Sequence, residues 1–310
     1  VLIIVAMALS LCAGRLLQLQ GFDSSSYSAD AMTRTLPLLP ARGQITDRNG
    51  LVLASTQPAV AVTADPTLTA PQADEIAGVL ASHLGMPEAE LMPLLTKTGT
   101  RFVYIKKKVP ALTYTALAAD LSGRHLHGIF RESDPIRTYP NGSVGASVVG
   151  FVGADGIGLT GLERTFNAQL AGVEGKETYE SAPNGSKIPL GRSSLTPALN
   201  GLSYQLTLDS EVQWAAQRRL AEQVAKTRAD WGFAIVLDVK TGQVIALANS
   251  PTYDSSKPQA ANPDDRGNRA VSAPYEPGSV QKVLTSAALI DSGTANPNTH
   301  VVVPNRIRSG

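Results

Sequence analysis

The stretch NRAVSAPYEPGSVQK, Asn268 to Lys282, leads into an apolar run in which Val283, Leu284, Ala287 and Ala288 share one face of a helix. Pro277 and Gly278 stand where a helix is entered, and Gly293 stands where it stops, so a helix is predicted from about Ser279 to Ile290. Ser279 and Lys282 are three apart and project from the same face, within reach of each other. That is the geometry in which a base activates a serine nucleophile. A lysine amine of ordinary pKa, about 10.4, is mostly protonated at neutral pH, and bringing such an amine to roughly 7 takes about 4.6 kcal/mol. A helix N-terminus contributes only about 0.3 to 1 kcal/mol of this. A base at Lys282 therefore requires burial and neighbouring cations from elsewhere in the chain. Spacing alone does not decide the matter, because a Ser and a Lys three apart arise by chance on the order of once in a chain this long. The pair is open between a solvated helix face and an acylation site. No other Lys of the chain has a Ser three before it.

Upstream, FAIVLDV and QVIALANS flank Lys240-Thr-Gly242 and predict an antiparallel pair of strands. Asp209 is placed to cap a helix carrying Val212, Ala216, Leu220 and Val224 as its apolar stripe, and LSYQLTL before it alternates as a strand. Residues 181–200 are rich in Pro, Gly, Ser and Asn, the composition of a link, and put the main domain boundary near Gly201. Before the link the pattern is mixed. A hairpin is expected over 39–56 about Asn49-Gly50, a pair that favours a two-residue turn. Ile76, Val79, Leu80 and Leu84 mark a helix ended by Gly85, and a second helix follows Pro87. Phe102 to Ile105 reads as a strand, Ala111 to Leu121 as a helix, and HLHGIFRES as another strand, followed by a Gly-rich turn over 150–163.

Charge-free from Val1 to Gly14, the N-terminus is shorter than the roughly 20 apolar residues that span a bilayer. The chain does not open on Met, and an anchor continuing past Arg15 through Leu16, Leu17 and Leu19 is expected. The only cysteine, Cys12, lies in this run, which leaves the remainder compatible with an oxidising compartment. With 27 basic and 26 acidic residues there is no field to hold a nucleic acid. A composition 43% hydrophobic over 310 residues supports a folded core rather than disorder.

Ser-x-x-Lys is an acylation motif of penicillin-binding proteins and serine β-lactamases. The whole of NRAVSAPYEPGSVQK resembles the active-site segment of class B penicillin-binding proteins, and further segments agree in order. These are RGQITDRNG at 42–50, RTYP at 137–140, GLTGLE at 158–163 and VLDVKTGQVIALANSPTYD at 236–254. EPGSVQKVLTSAAL is similar to division-type members from actinobacteria. The resemblance implies an α+β architecture of three parts: a single-pass transmembrane anchor (1–22), an elongated mixed pedestal (23–200), and the first portion of a transpeptidase domain with helices on an antiparallel sheet (201–310).

It also implies a peptidoglycan D,D-transpeptidase on the outer side of the cell membrane, with Ser279 as nucleophile, Lys282 as base and no cofactor. Expected partners are the stem peptide and its lipid-linked precursor polymer, β-lactams, a SEDS-type glycosyltransferase and other division proteins. A carboxypeptidase and a β-lactamase fit the anchor and pedestal poorly; an inactive scaffold or a β-lactam sensor is the rival. The family carries two later motifs, S-x-N and K-T/S-G, and no run after Lys282 matches either, which implies that the domain is incomplete here. The Lys-Thr-Gly triplets at 97–99 and 240–242 lie upstream and read as a helix end and a hairpin turn.

Smaller signals have structural readings. Arg42, Asp47, Arg48, Arg137 and Glu163 fall in the matched pedestal segments, where buried or half-buried ion pairs account for them. His125 and His127 alternate as strand residues without a third ligand nearby, and Lys106 to Lys108 reads as a solvated strand end or turn.

Overall fold

A computed structural model describes residues 2–21, 33–181, 187–189 and 191–302. The chain falls into two compact units, residues 1–270 and residues 271–310.

The first opens with helix α1 (Leu2–Gly21). The helix forms where the anchor is expected, but among the described residues no helix is long and apolar enough to cross a membrane. Its uncharged stretch ends at Gly14, and Arg15 follows, donating to Gln18 Oε1 at 2.7 Å. Strand β1 (Thr33–Leu38) follows, then β2 (Ile45–Thr46), β3 (Val52–Gln57) and β4 (Ala59–Ala64). Next come helices α2 (Pro66–Thr69), α3 (Ala73–Leu84) and α4 (Glu88–Leu95), strand β5 (Val103–Pro110), helix α5 (Ala111–Gly123) and strands β6 (Ile129–Ser133) and β7 (Ile136–Thr138). Short helices α6 (Ala146–Val149), α7 (Gly161–Thr165) and α8 (Asn167–Ala171) precede β8 (Gly175–Glu180), β9 (Ser193–Thr196) and β10 (Tyr204–Gln205). Helix α9 (Ser210–Thr227) and strands β11 (Gly232–Leu237) and β12 (Val244–Ser250) complete the main elements of this unit. Helix α10 (Arg269–Ser272) bridges into the second, which holds α11 (Gln281–Asp291).

Two cores organise the first unit. One lies between the sheet β5-β4-β6 and helices α3, α4 and α5, with Ile76, Leu80, Leu91, Leu95 and Leu117 fully enclosed. The helices are there for the reasons their sequence gives: α3 presents its apolar stripe inward and ends on left-handed Gly85, whose N–H closes on Ala81 O at 2.9 Å. The other core gathers Ile45, Leu53, Tyr139, Val149, Phe151 and Leu170 around the sheet β10-β2-β3-β7, and Tyr253, from beyond β12, packs into it. The expected hairpin is present, β2 against β3 with Ile45 opposite Ala54. Its turn is longer than two residues: Asp47 N–H donates to Leu51 O at 2.9 Å and Gly50 takes a positive φ of 84°. Asp209 caps α9 as its position predicts, accepting from the N–H groups of Glu211 and Val212 at 3.1 and 3.2 Å.

Three expectations need correction. Residues 181–200 are not simply a link: part of that stretch lies outside the described residues, but Ser193–Thr196 forms β9, which pairs antiparallel with β8 in the sheet β1-β8-β9. Its hydroxyl-bearing residues are exposed and pair through the backbone, which composition does not reveal. His125 and His127 are not on a strand either. His125 takes a left-handed φ of 56° as α5 unwinds, and the strand starts only after Gly128, itself at φ 96°. Lys106, Lys107 and Lys108 fall within β5 rather than at its end. There Lys108 pairs with Asp134 at 2.5 Å, Lys107 lies over the Tyr104 ring and Lys106 reaches Leu84 O.

Candidate active site

The second unit carries the candidate nucleophile. Gly278, at φ 53°, opens a single 3-10 turn, Gly278–Val280, that leads directly into α11. Ser279 sits in this turn and Lys282 in the first turn of α11, so both stand at one helix entrance, as the spacing predicts. Ser292 N–H closes on Ala288 O and Gly293 takes φ 70°, ending the helix where expected. Within residues 271–302 no side chain is buried: Ser279 and Lys282 are exposed, and so are Val283 and Leu284 at 69% and 63%. The burial that a neutral lysine requires is therefore not provided by this unit itself.

The first unit holds the charge cluster signalled by its motif residues. Glu163, in α7, is fully buried between two guanidinium groups: Arg42 reaches Oε2 at 2.6 Å through Nη2, and Arg137 reaches Oε1 at 2.7 Å through Nε. Arg42 also donates to Asn167 Oδ1 and Glu163 O, both at 2.9 Å, and Arg137 to Thr56 Oγ1 at 3.2 Å. Arg137 Nη2 is buried without a hydrogen-bond partner among the described residues. The glycines of these motifs have a steric reason. A Cβ on Gly158 would stand 1.9 Å from Glu163 O, and one on Gly43 1.9 Å from Leu202 O. Tyr139 closes the cluster, accepting from Val152 N–H at 3.0 Å and donating to Glu163 Oε1 at 3.4 Å. Burial pushes its phenol well up, and the Glu163 charge adds to this.

Asp47 is buried too, but it is not ion-paired. Its Oδ1 accepts from Asn49 N–H and Leu51 N–H, both at 2.8 Å, and Oδ2 from Ser210 N–H at 3.2 Å. Burial pushes the Asp47 carboxyl up, but the adjacent Ser210 hydroxyl and these amides outweigh it and hold the group below the usual carboxylate range. Arg48 is exposed and takes no part in the cluster through a buried side chain. Lys240-Thr-Gly242 makes the β11–β12 turn as read: Asp238 Oδ1 accepts from Lys240 N–H and Thr241 N–H at 2.8 and 3.1 Å, and Gly242 takes φ 74°. Among the described residues no group of three or more His, Cys, Asp or Glu side chains is placed to hold a metal ion.

Two polar residues that sequence reasoning passed over are buried on the face of β12. Gln213 of α9 accepts from Leu247 N–H at 2.7 Å and donates to Leu247 O at 2.9 Å, pairing with the strand as another strand would. The apolar stripe assigned to α9 is only partly used, since Val212 is 36% exposed while Gln213 is 1% exposed. Asn249, the other, bridges to Ser147 and Asn268. Neither had a signal in the sequence beyond a polar residue in an apolar neighbourhood.

Residues 37–206, more than half of the chain, match the family described as the penicillin-binding protein dimerisation domain, and residues 232–309 match the penicillin binding protein transpeptidase domain. The chain belongs to the class B penicillin-binding proteins. This penicillin-binding protein is 32% identical to the penicillin-binding protein PbpB of Mycolicibacterium smegmatis over 99% of its own length and 51% of that protein's. It spans about half the length of the curated relatives it matches. Among solved structures, penicillin-binding protein 2X of Streptococcus thermophilus aligns with a TM-score of 0.70 at 28% identity, over 89% of this chain and 44% of that one. Penicillin-binding protein 3 of Mycobacterium tuberculosis, solved in complex with aztreonam, aligns with a TM-score of 0.54 at 28% identity, over 88% and 42%. The α+β pedestal and the first part of the transpeptidase fold are thus shared with this family.

Proposed function

We propose that the complete protein is a peptidoglycan D,D-transpeptidase in which Ser279 is the nucleophile and Lys282 its base. The observation that carries this is the Ser-x-x-Lys pair at the entrance of α11, inside the stretch matched by the transpeptidase family. Ser279 Oγ attacks the carbonyl of the penultimate D-Ala of a donor stem peptide while Lys282 takes its proton, and the backbone N–H of Ser279 is one donor to the oxyanion. The C–N bond to the terminal D-Ala breaks, that D-Ala leaves with a proton, and an amine of a neighbouring strand then resolves the ester. β-Lactams acylate the same oxygen because their ring amide imitates D-Ala-D-Ala; the aztreonam complex of the mycobacterial relative supports this reading.

The organisation proposed is an anchor over 1–22, a pedestal over 23–200 and the first part of the catalytic domain over 201–310. Attachment to the outer face of the cell membrane begins at α1, and the partner is a SEDS-type glycosyltransferase of the division machinery, which makes the glycan strands. Residues 1–310 alone are expected not to acylate, because the later motifs supply an oxyanion donor and a cation near the lysine, and one such donor contributes about 2.7 to 4 kcal/mol. The second reading, an inactive scaffold or sensor, is favoured by one observation: Ser279 and Lys282 are exposed with nothing buried around them.

Labelling the complete gene product in membranes with a fluorescent penicillin, and locating the adduct by peptide mass spectrometry, separates the two. An adduct on Ser279 that is lost in Ser279→Ala supports the enzyme; a folded, full-length protein without an adduct leaves the scaffold.

A further inference from the structure

At the end of β12, Asn249 is 3% exposed and both polar atoms of its amide are engaged. Nδ2 donates to Ser147 Oγ at 3.0 Å and to Asn268 Oδ1 at 3.0 Å, and Oδ1 accepts from Ala270 N–H at 3.1 Å. A backbone N–H can only donate, so the amide oxygen must face Ala270, and the orientation of the side chain is fixed by chemistry. Ser147, itself 6% exposed, belongs to α6 in the pedestal match, whereas Asn268 and Ala270 open the stretch that runs into Ser279. One buried amide therefore joins the pedestal to the backbone that leads to the nucleophile.

Resting on the transpeptidase reading above, we propose that Asn249 is a positioning residue: through Ser147 it sets the path by which the backbone after Asn268 delivers Ser279. Other side chains also grip the neighbourhood of α6, but they lead elsewhere. Tyr253 Oη donates to Ala146 O at 2.8 Å, and Gln217 of α9 spans Gly145 N–H and Ser143 O at 2.9 Å each. These hold the pedestal to α9 and to the segment after β12, with no bond to residues 268–270. Asn249 alone among them bonds to the nucleophile's lead-in, so a displacement of α6 is felt there through a bond that a buried amide does not give up without leaving polar groups unpaired. A carboxamide is also the side chain suited to the task, since it donates twice and accepts at the same point.

The test uses the full-length protein in membranes or detergent, with penicillin acylation resolved into its non-covalent binding constant and its acylation rate constant. Asn249→Leu and Ser147→Ala are expected to lower the rate constant, on the order of 10-fold for Asn249→Leu, with binding little changed, because misplacement of a reacting group by about 1 Å costs up to about 100-fold. The double variant should lose no more than Asn249→Leu alone, since both act along one path. Tyr253→Phe is the control: it removes a pedestal bond of the same kind and should lower the melting temperature without touching the rate constant. Amide exchange at Ala270 should rise in Asn249→Leu and stay unchanged in Tyr253→Phe. Rate constants that follow melting temperature across all the variants, or that do not change at all, overturn the positioning role and leave the transpeptidase intact. A wild-type protein that forms no adduct overturns the transpeptidase reading, and the positioning role with it.

Discussion

Glu163 and Lys282 are both ionisable side chains in motif segments, yet they occupy opposite surroundings. Glu163 is fully enclosed and receives two guanidinium groups, a phenol and the close backbone packing that Gly158 permits. Lys282 stands exposed on a helix from which Val283 and Leu284 also project into solvent. The pedestal residues have their partners within the residues described, so their roles are structural and complete. A serine-lysine pair has its role only when other residues bury it, so its local geometry is necessary and its environment is the missing condition. Substitutions at the two places should therefore differ in kind: in the pedestal they change stability, and at α11 they change chemistry.

The sharpest break on the pedestal side is Glu163→Gln. It leaves Arg42 and Arg137 facing each other across a neutral side chain, and removing one partner from a buried pair typically costs about 3–5 kcal/mol. Urea unfolding of the full-length protein should show a loss of this size; a shift below about 1 kcal/mol would mean that water reaches the cluster and screens it.

Next in size is Asp47→Asn, which keeps the shape of the hairpin staple and removes its charge. An acceptor is kept, but the charge-assisted bonds from Asn49, Leu51 and Ser210 weaken, at about 1–3 kcal/mol. Since folding lowers the Asp47 pKa, the ionised group contributes stability above the ordinary carboxylate pKa of about 3.9, and that contribution disappears as pH falls through the lower folded value. Melting temperatures measured from pH 7 to pH 2 should therefore fall less steeply at the acid end in Asp47→Asn than in the wild type. Parallel curves would rule out this linkage.

Tyr139→Phe sharpens the comparison at smaller cost. It removes a hydroxyl that accepts from Val152 N–H and donates to Glu163 while leaving the ring in the core, so about 0.5–1.5 kcal/mol is expected. Acylation of the full-length protein should not change, because the phenol belongs to the pedestal; a lost adduct in a folded variant would contradict the division of roles.

What the sequence disclosed follows from the range of the interactions involved. The hairpin, the capped α9, the Lys240-Thr-Gly242 turn and the helix at Ser279 are encoded within a few residues each, by Gly, Asp and the apolar period. The ion cluster was half legible: its members were marked by motif, but that Glu163 joins Arg42 and Arg137, while Asp47 staples its own turn, depends on contacts more than a hundred residues apart for Arg42 and only four apart for Asp47. Strand β9 was hidden by a composition typical of links, and Asn249 by an ordinary position in an alternating strand. Its partner Ser147 lies 102 residues earlier, a separation at which no local pattern reports.

Lys240→Ala is the smallest expected effect and tests the rejection of the nearest Lys-Thr-Gly triplet as chemistry. If residues 240–242 were a catalytic strand, the ammonium would be needed to orient a substrate carboxylate, and its removal would depress acylation many-fold. In the structure the triplet is instead an exposed turn, and what holds it is backbone: Asp238 Oδ1 accepts the Lys240 and Thr241 amides, and Gly242 supplies the positive φ. None of these features uses the lysine side chain. Stability should stay within about 0.5 kcal/mol of the wild type, the usual range for an exposed position, and penicillin labelling of the full-length protein should be unchanged. By contrast Gly242→Ala forces a side chain into a left-handed position and should destabilise the hairpin more than Lys240→Ala does. A Lys240→Ala variant that folds normally but loses its adduct would reverse this assignment and place chemistry on the turn.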